Sequence, residues 1–373
     1  MKSNEKKVLF LPFLQIPSGH HQVSNNLMEI IQKLNSQVMC EKIDILSYSY
    51  GRVEKLISFI YLKWIRVFPQ IYNLIYRNSV YKNIKKEKRY ILYEVLFLHF
   101  MKKLLLEKNP DFIICTHSLP AYMCNYLKKK GELQVPVINV YTDYFIHQFW
   151  GIKHIDLHFV PTIRMKTFLL EKGISEDQIF VMGIPVHREI KRRPERRIKP
   201  LHKPLTLLVA GGNLGVGALN NVIDEFIRAD IGKLYVLCGK NQRLYERLKS
   251  LNHEHIIPYS YINCMSEMNA LYDEVDAIIT KPGGVTVSEC LYKKIPIFIY
   301  DTLPGQEKIN LHELKTQGLI FHLERENIRG QIFSILSEKN VMERYKKQLE
   351  TYHSYLSEKG PADVLEELLL DSI

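Results

Sequence analysis

The chain repeats one grammar twice. Short apolar runs at Val8–Leu14, Asp111–Cys115, Val135–Tyr141 and His158–Val160 stand among stretches such as His21–Leu34, whose apolar residues recur with helical spacing. Runs too short to be helices, separated by amphipathic stretches, are the pattern of βαβ units. Strands that read as unbroken apolar runs are those covered on both faces of a parallel sheet. The pattern restarts at Leu205–Ala210 and continues through Lys233–Cys238, His255–Ile257, Ala277–Thr280 and Ile295–Tyr300. Between the two halves, His187–Pro204 reads HREIKRRPERRIKPLHKP, a proline-punctuated basic stretch with almost nothing to bury. We therefore expect an α/β protein with an N-terminal domain over 1–186, a linker over 187–204 and a C-terminal domain over 205–373, the last helix being free to cross back to the first domain. A length of 373 residues suits two domains of ordinary size.

Charge is unevenly shared between the halves. Residues 1–200 hold 32 Lys and Arg against 17 Asp and Glu, whereas residues 201–373 hold 19 against 23, which together give the net +11. The excess of +15 in the first half points to an anionic partner, and a membrane surface or a nucleic acid is the natural class. Six cysteines, Cys40, Cys115, Cys124, Cys238, Cys264 and Cys290, show no CxxC spacing. They argue against a zinc site or a disulfide framework and fit a reducing, cytoplasmic setting. The lysines at 2, 6 and 7 before an apolar run imitate a signal peptide, but Pro17-Ser18-Gly19-His20-His21 offers no small-residue cleavage site. No apolar run reaches the roughly 18 residues that would span a bilayer.

One segment interrupts the rhythm. From Tyr48 to Leu106 aromatic and aliphatic residues alternate with cations, as at FIYLKWI, which includes Trp64 and is followed by Arg66, and at IKKEKRYIL, which includes Lys85 and Lys86. Apolar side chains that enter the headgroup boundary beside cations that meet anionic lipid are what an interfacial contact requires. The plainer reading is a set of core helices with solvated faces.

Four loops follow predicted strands at their C-terminal ends, where open α/β sheets bind ligands. The first, PSGHHQV, places Gly19 and His20 at a helix start; glycine permits a tight turn and histidine titrates near neutral pH. The second, LLVAGGNLGVG, offers glycine amides to an anion but spells neither a P-loop nor a dinucleotide fingerprint. The third, ITKPGGVTVSEC, breaks a strand at Pro282-Gly283-Gly284 and restarts as a helix, with Thr286 or Ser288 able to supply hydroxyls and Glu289 a carboxylate. The fourth, YDTLPGQE, sets an amide and a carboxylate side by side at Gln306 and Glu307, a pair suited to a polyhydroxylated ligand.

TKPGGVTVSE followed by PIFIYDTLPGQEKIN, with VINVYTDYFIHQFW and VMGIPVH upstream, resembles the glycolipid glycosyltransferases of family 28, the group of the processive diacylglycerol glucosyltransferases and monogalactosyldiacylglycerol synthases. The resemblance runs from the first strand to about residue 350. It implies a GT-B architecture, two Rossmann-like domains facing across a cleft, the first for acceptor and membrane and the second for a UDP-sugar. By the same resemblance His20 matches the acceptor base, and Asp143, in the Thr-Asp motif, is its rival. Gly211, Gly212 and Asn213 match a glycine loop at the diphosphate, and Tyr261 and Ile262 the backbone at uracil, although Tyr-Ser-Tyr replaces the usual Gly-Tyr. Pro282, Gly283, Gly284 and Thr286 match the diphosphate turn, Glu289 the ribose carboxylate, and Gln306 with Glu307 the sugar clamp. Gly19, Trp64, Arg66, Lys85 and Lys86 fall on the acceptor and membrane side. The chain departs from the family at Gln15–Ser18, which leaves the acceptor open.

The expected function is inverting transfer of a hexose from a UDP-sugar to a lipid hydroxyl, with diacylglycerol as the expected acceptor, at the cytoplasmic face of the cell membrane. Helix N-terminal amides would take the diphosphate charge, so no metal and no further cofactor is expected, and no nucleic acid. The alternatives are a GT-B enzyme with a non-lipid acceptor and a UDP-sugar 2-epimerase-like enzyme, for which the aromatic-basic segment would have no use.

Overall fold

The computed structural model describes residues 6–13, 19–51, 89–147, 149–192, 204–211, 219–227, 232–303 and 305–371. Its contacts divide the chain into one unit of Met1–Pro185 with Tyr355–Ile373 and another of Val186–Ser354. The chain after Ser354 thus packs with the first unit and not with the second. Ser357 is the tie: its N–H donates to the Val181 carbonyl at 2.7 Å, and its Oγ accepts from the Val181 N–H at 2.9 Å. The last helix, Pro361–Asp371, then buries Val364, Leu365 and Leu369.

The first unit runs β1 (Lys7–Leu11), α1 (Gly19–Leu34), β2 (Met39–Lys42), α2 (Ile45–Tyr50), α3 (Ile91–Lys108), β3 (Phe112–Cys115), α4 (Ser118–Lys129), β4 (Val137–Val140), β5 (Leu157–Val160), α5 (Ile163–Glu171) and β6 (Ile179–Val181). The strands form one parallel sheet in the order β2-β1-β3-β4-β5-β6. β3 and β4 are buried at every residue, which is why they read as unbroken apolar runs. α1 turns Val23, Leu27 and Ile31, one residue per turn, onto the sheet.

The second unit runs β7 (Leu205–Ala210), α6 (Leu219–Ile227), β8 (Gly232–Leu237), α7 (Gln242–Ser250), β9 (Ile256–Tyr259), α8 (Met265–Glu274), β10 (Ala277–Thr280), α9 (Gly284–Tyr292), β11 (Ile297–Ile299), α10 (Gln306–Thr316), β12 (Phe321–His322), α11 (Ile328–Ser337) and α12 (Lys339–Ser354). Its parallel order is β12-β11-β10-β7-β8-β9.

Both orders have a reversal. In the first sheet the chain leaves β1 for β2 on one side and returns to β3 on the other; in the second it leaves β7 for β8 and β9 and returns to β10. Helices that depart in opposite directions leave a crevice at the carboxyl ends of the two central strands, the place where open sheets bind ligands.

The opposite edges of the sheets are closed by aspartates. Asp111 Oδ2 accepts from the Lys7 N–H at 2.6 Å, Asp156 Oδ2 from Val137 at 2.7 Å and Asp276 Oδ2 from Thr206 at 2.8 Å. Each carboxylate satisfies a donor at the first or second residue of a strand, and Asp111, spent on Lys7, precedes the strand that begins at Phe112.

Candidate active site

The first unit's crevice lies between the ends of β1 and β3. His20, the second residue of α1, brings Nδ1 to 2.9 Å from the Thr116 carbonyl and 2.7 Å from Thr142 Oγ1. Thr116 follows β3 and Thr142 follows β4, so three strand ends meet on one imidazole. Ser24, one turn along α1, donates to the His20 carbonyl at 3.0 Å and lies 3.0 Å from Thr116 Oγ1. Thr116, Thr142 and Ser24 are buried.

More imidazoles surround this point. The His117 ring lies edge-on to His20 at 4.9 Å and stacks on Phe13 at 4.8 Å. His117 is also the N-cap of α4, accepting from the Leu119 N–H at 3.2 Å. Burial pushes His20 down to about 4 and His147 to about 3. His117 is lowered too, first by burial and then by the nearby His20, His147 and His21. Although His20 keeps part of its surface open, the packing around its ring keeps the imidazole neutral at pH 7.

Asp143 is buried in the turn beside Thr142. Both residues named from the sequence as candidate bases therefore reach the same turn. Gly19 opens α1 as its first residue. Trp64, Arg66, Lys85 and Lys86 lie outside the described residues.

The second unit's crevice lies between β7 and β10. Thr280 and Ala210 are register partners, and Thr280 Oγ1 donates to the Ala210 carbonyl at 3.0 Å. Gly211 and Lys281 therefore leave the sheet side by side. Gly211 is buried, while Gly212 and Asn213 lie outside the described residues. Beyond Lys281, Gly283 is the N-cap of α9, with extended backbone at φ −79° and ψ 144°. An added Cβ there would meet no atom within 4 Å, so neither strain nor crowding by the second unit demands glycine. A glycine without a local steric reason lets backbone approach something else closely.

The structure refines which amides are available. The Gly283 N–H is spent on the Lys281 carbonyl at 2.8 Å, whereas Gly284, Val285 and Thr286 occupy the first three helical positions, whose N–H groups lack a partner one turn back. The buried Asn310 of α10 donates Nδ2 to the Pro282 carbonyl at 3.1 Å and fixes the turn from the next helix.

Glu289 is buried, and its Oε2 accepts from Tyr272 Oη of α8 at 2.8 Å. Burial raises its carboxyl to about 7, with the Tyr272 hydrogen bond pulling the other way. Glu307 Oε2 accepts from the Leu303 N–H at 2.6 Å and so braces its own loop, which bends at Gly305, φ +91°. Gln306 is half-buried at the first position of α10. Tyr261 and Ile262 follow the edge strand β9; Tyr261 is exposed, and Lys240 Nζ stands 5.5 Å from its ring centroid. All the described stretches that the sequence analysis named for the donor thus leave one edge of one sheet.

A family model of monogalactosyldiacylglycerol synthase matches residues 20–186, and the model of the glycosyltransferase family 28 C-terminal domain matches residues 206–348. A Bacillus subtilis (strain 168) protein named uncharacterized glycosyltransferase YkoN is 40% identical across 98% of this chain and 97% of its own. The chain belongs to glycosyltransferase family 28. A processive diacylglycerol beta-glucosyltransferase of the same organism is 27% identical over 99% of this chain and 96% of its own length. Among solved structures, MurG of Acinetobacter baumannii superposes with a TM-score of 0.59 at 14% identity, covering 98% of each chain, which places this family 28 member in the GT-B fold.

The sequence named His20 and the Pro-Gly-Gly turn, because a histidine or a glycine at a strand-to-helix junction is visible in one dimension. It missed Thr116, His117, Thr142, His147, Tyr272 and Asn310. The Thr142-Asp143 dipeptide was the signal for Thr142, and the other five required the strand order.

Proposed function

We propose that this enzyme transfers a hexose from a UDP-sugar to a lipid hydroxyl, diacylglycerol above other acceptors, with inversion at the anomeric carbon. The observation that carries the reading is chemical sorting between the two crevices: a neutral histidine stands at the first, while helix-start amides with no partner one turn back, beside a glycine with no described atom against an added Cβ, stand at the second. His20 or Asp143 removes the acceptor proton as the new bond forms. The N–H groups at the start of α9 take the diphosphate charge as it leaves, Glu289 the ribose, Tyr261 and Ile262 the uracil, and Gln306 with Glu307 the sugar. In this mechanism helix dipoles do the charge work that a metal would otherwise do.

The lipid acceptor is supported by the synthase-type model over the first unit and by the diacylglycerol glucosyltransferase relative. It is also supported by α3, whose Ile91, Leu92 and Val95 are 60%, 68% and 74% exposed. Among the described residues no helix is long and apolar enough to cross a membrane. Peripheral attachment at the cytoplasmic face of an anionic membrane fits these features.

The test is incubation of the protein with labelled UDP-sugars and liposomes with or without diacylglycerol. Label in the lipid phase only when diacylglycerol is present is the expected result. UDP release with no lipid-phase label would refute the lipid acceptor.

A further inference from the structure

We propose that the Thr116 carbonyl and the Thr142 hydroxyl lock the His20 imidazole with its proton on Nδ1, leaving Nε2 as the bare nitrogen, and that Thr142 is a positioning residue for proton transfer. The inference deepens the reading of His20 as the base and rests on it.

A carbonyl oxygen can only accept, so the 2.9 Å contact to Thr116 requires a proton on His20 Nδ1. The 2.7 Å contact to Thr142 Oγ1 then makes that hydroxyl a second acceptor of the same proton, and its own hydrogen points toward the Thr116 carbonyl at 3.4 Å. The neutral ring holds one proton, so Nε2 keeps its lone pair.

A second chain of bonds holds the first in place. Ser24 Oγ donates to the His20 carbonyl, which leaves Thr116 Oγ1 as the donor in the 3.0 Å contact to Ser24. The helix that carries the histidine is thereby fastened to the strand end that supplies its acceptor. A carboxylate commonly fixes a catalytic histidine; here a backbone carbonyl and a hydroxyl face Nδ1. The titratable groups gathered around are His21 on the same helix, His117 at the start of α4 and His147 after β4, with Asp143 next to Thr142. Burial disfavours a charged His20 and the Thr116 hydrogen bond opposes it only in part, so the base stays unprotonated.

In the transfer step the acceptor O–H bond breaks and its proton passes to Nε2, while the oxygen's electron pair bonds the anomeric carbon. The bond from that carbon to the diphosphate breaks, and its electrons leave with UDP. His20 becomes an imidazolium, and two acceptors on Nδ1–H stabilise it better than one.

The test uses the full chain labelled with 15N-histidine, as wild type, Thr142→Val and Thr142→Ser. Ring-nitrogen NMR should find the His20 proton on Nδ1 at pH 7. Thr142→Val should lower the pH at which this ring titrates and reduce kcat about tenfold, with KM for the UDP-sugar unchanged, because the lost hydrogen bond strengthens as the ring gains charge in the transition state. Thr142→Ser should restore both values. A proton on Nε2 in the wild type, or an unchanged titration and kcat in Thr142→Val, would overturn the lock. If the NMR results hold but His20→Ala turns over normally, the base reading fails and the tautomer lock stands.

Discussion

Glu289 is a carboxyl held at about 7 by burial, one oxygen accepting from Tyr272. If ribose hydroxyls donate to this group, binding stabilises its charged form and releases a proton, so affinity must rise with pH until the free group is ionised. At pH 6 only about a tenth of the carboxyls would be charged, and UDP should bind about tenfold more weakly than at pH 8. Calorimetric titration of UDP at both values checks this, with Glu289→Gln as the control. The diphosphate's own titration is common to both proteins, so a slope of the same size in Glu289→Gln would remove the carboxylate from the ribose site. The site was legible in the sequence only where one residue type announces a backbone need. Pro282-Gly283-Gly284 was visible because no ordinary strand or helix interior contains it. Asn310, which donates to Pro282 from 28 positions away, was not, since an asparagine within QEKINLHELK looks like any polar helix residue.

At the scale of elements, α3 is the least orthodox piece. It buries Glu94, Phe97, Met101 and Leu104 along one stripe, yet Ile91, Leu92, Val95 and Leu106 on other faces stay exposed. Apolar side chains exposed together on a helix carry a solvation penalty unless something covers them, and a lipid interface is such a cover. Replacing Ile91, Leu92 and Val95 together by serine should weaken sedimentation with anionic vesicles at least about tenfold. It should shift the unfolding midpoint little, because surface changes usually lie within about 0.5 kcal/mol each. Undiminished vesicle binding would move the membrane contact elsewhere. Strands were the most legible elements: each apolar run read from the sequence holds a strand, with ends displaced by up to three residues, by one at Asp111, which caps the sheet edge, whereas the short strands β2, β6 and β12 were not read. The return of the chain at Ser357 was not readable as a certainty, because a serine that exchanges hydrogen bonds with Val181 has no signature of its own.

The two units as a whole hold opposite kinds of buried acid, and their response to pH should differ. In the first unit His20, His147 and His158 are pushed down to about 4, 3 and 3, and His117 is lowered as well, in each case chiefly by burial. An unfolded histidine binds its proton near pH 6.5, so below that value the unfolded chain holds more protons than the folded unit. The stability these groups confer is complete above about 6.5 and is lost as pH falls toward 4. In the second unit, His353, lowered to about 4, acts in the same direction, but Glu289 acts in the other: its raised carboxyl favours the folded state as pH falls from about 7 toward 4.5. The two terms offset each other there, whereas four histidines add in the first unit. Acidification from pH 7 to 5 should therefore open the first unit first. Hydrogen exchange on the full chain, resolved by peptide, would show protection at Phe112–Cys115 and Val137–Val140 failing at a higher pH than protection at Leu205–Ala210 and Ala277–Thr280. Simultaneous loss in both sheets would show that the histidines do not set the acid limit, while earlier loss in the second sheet would reverse the assignment.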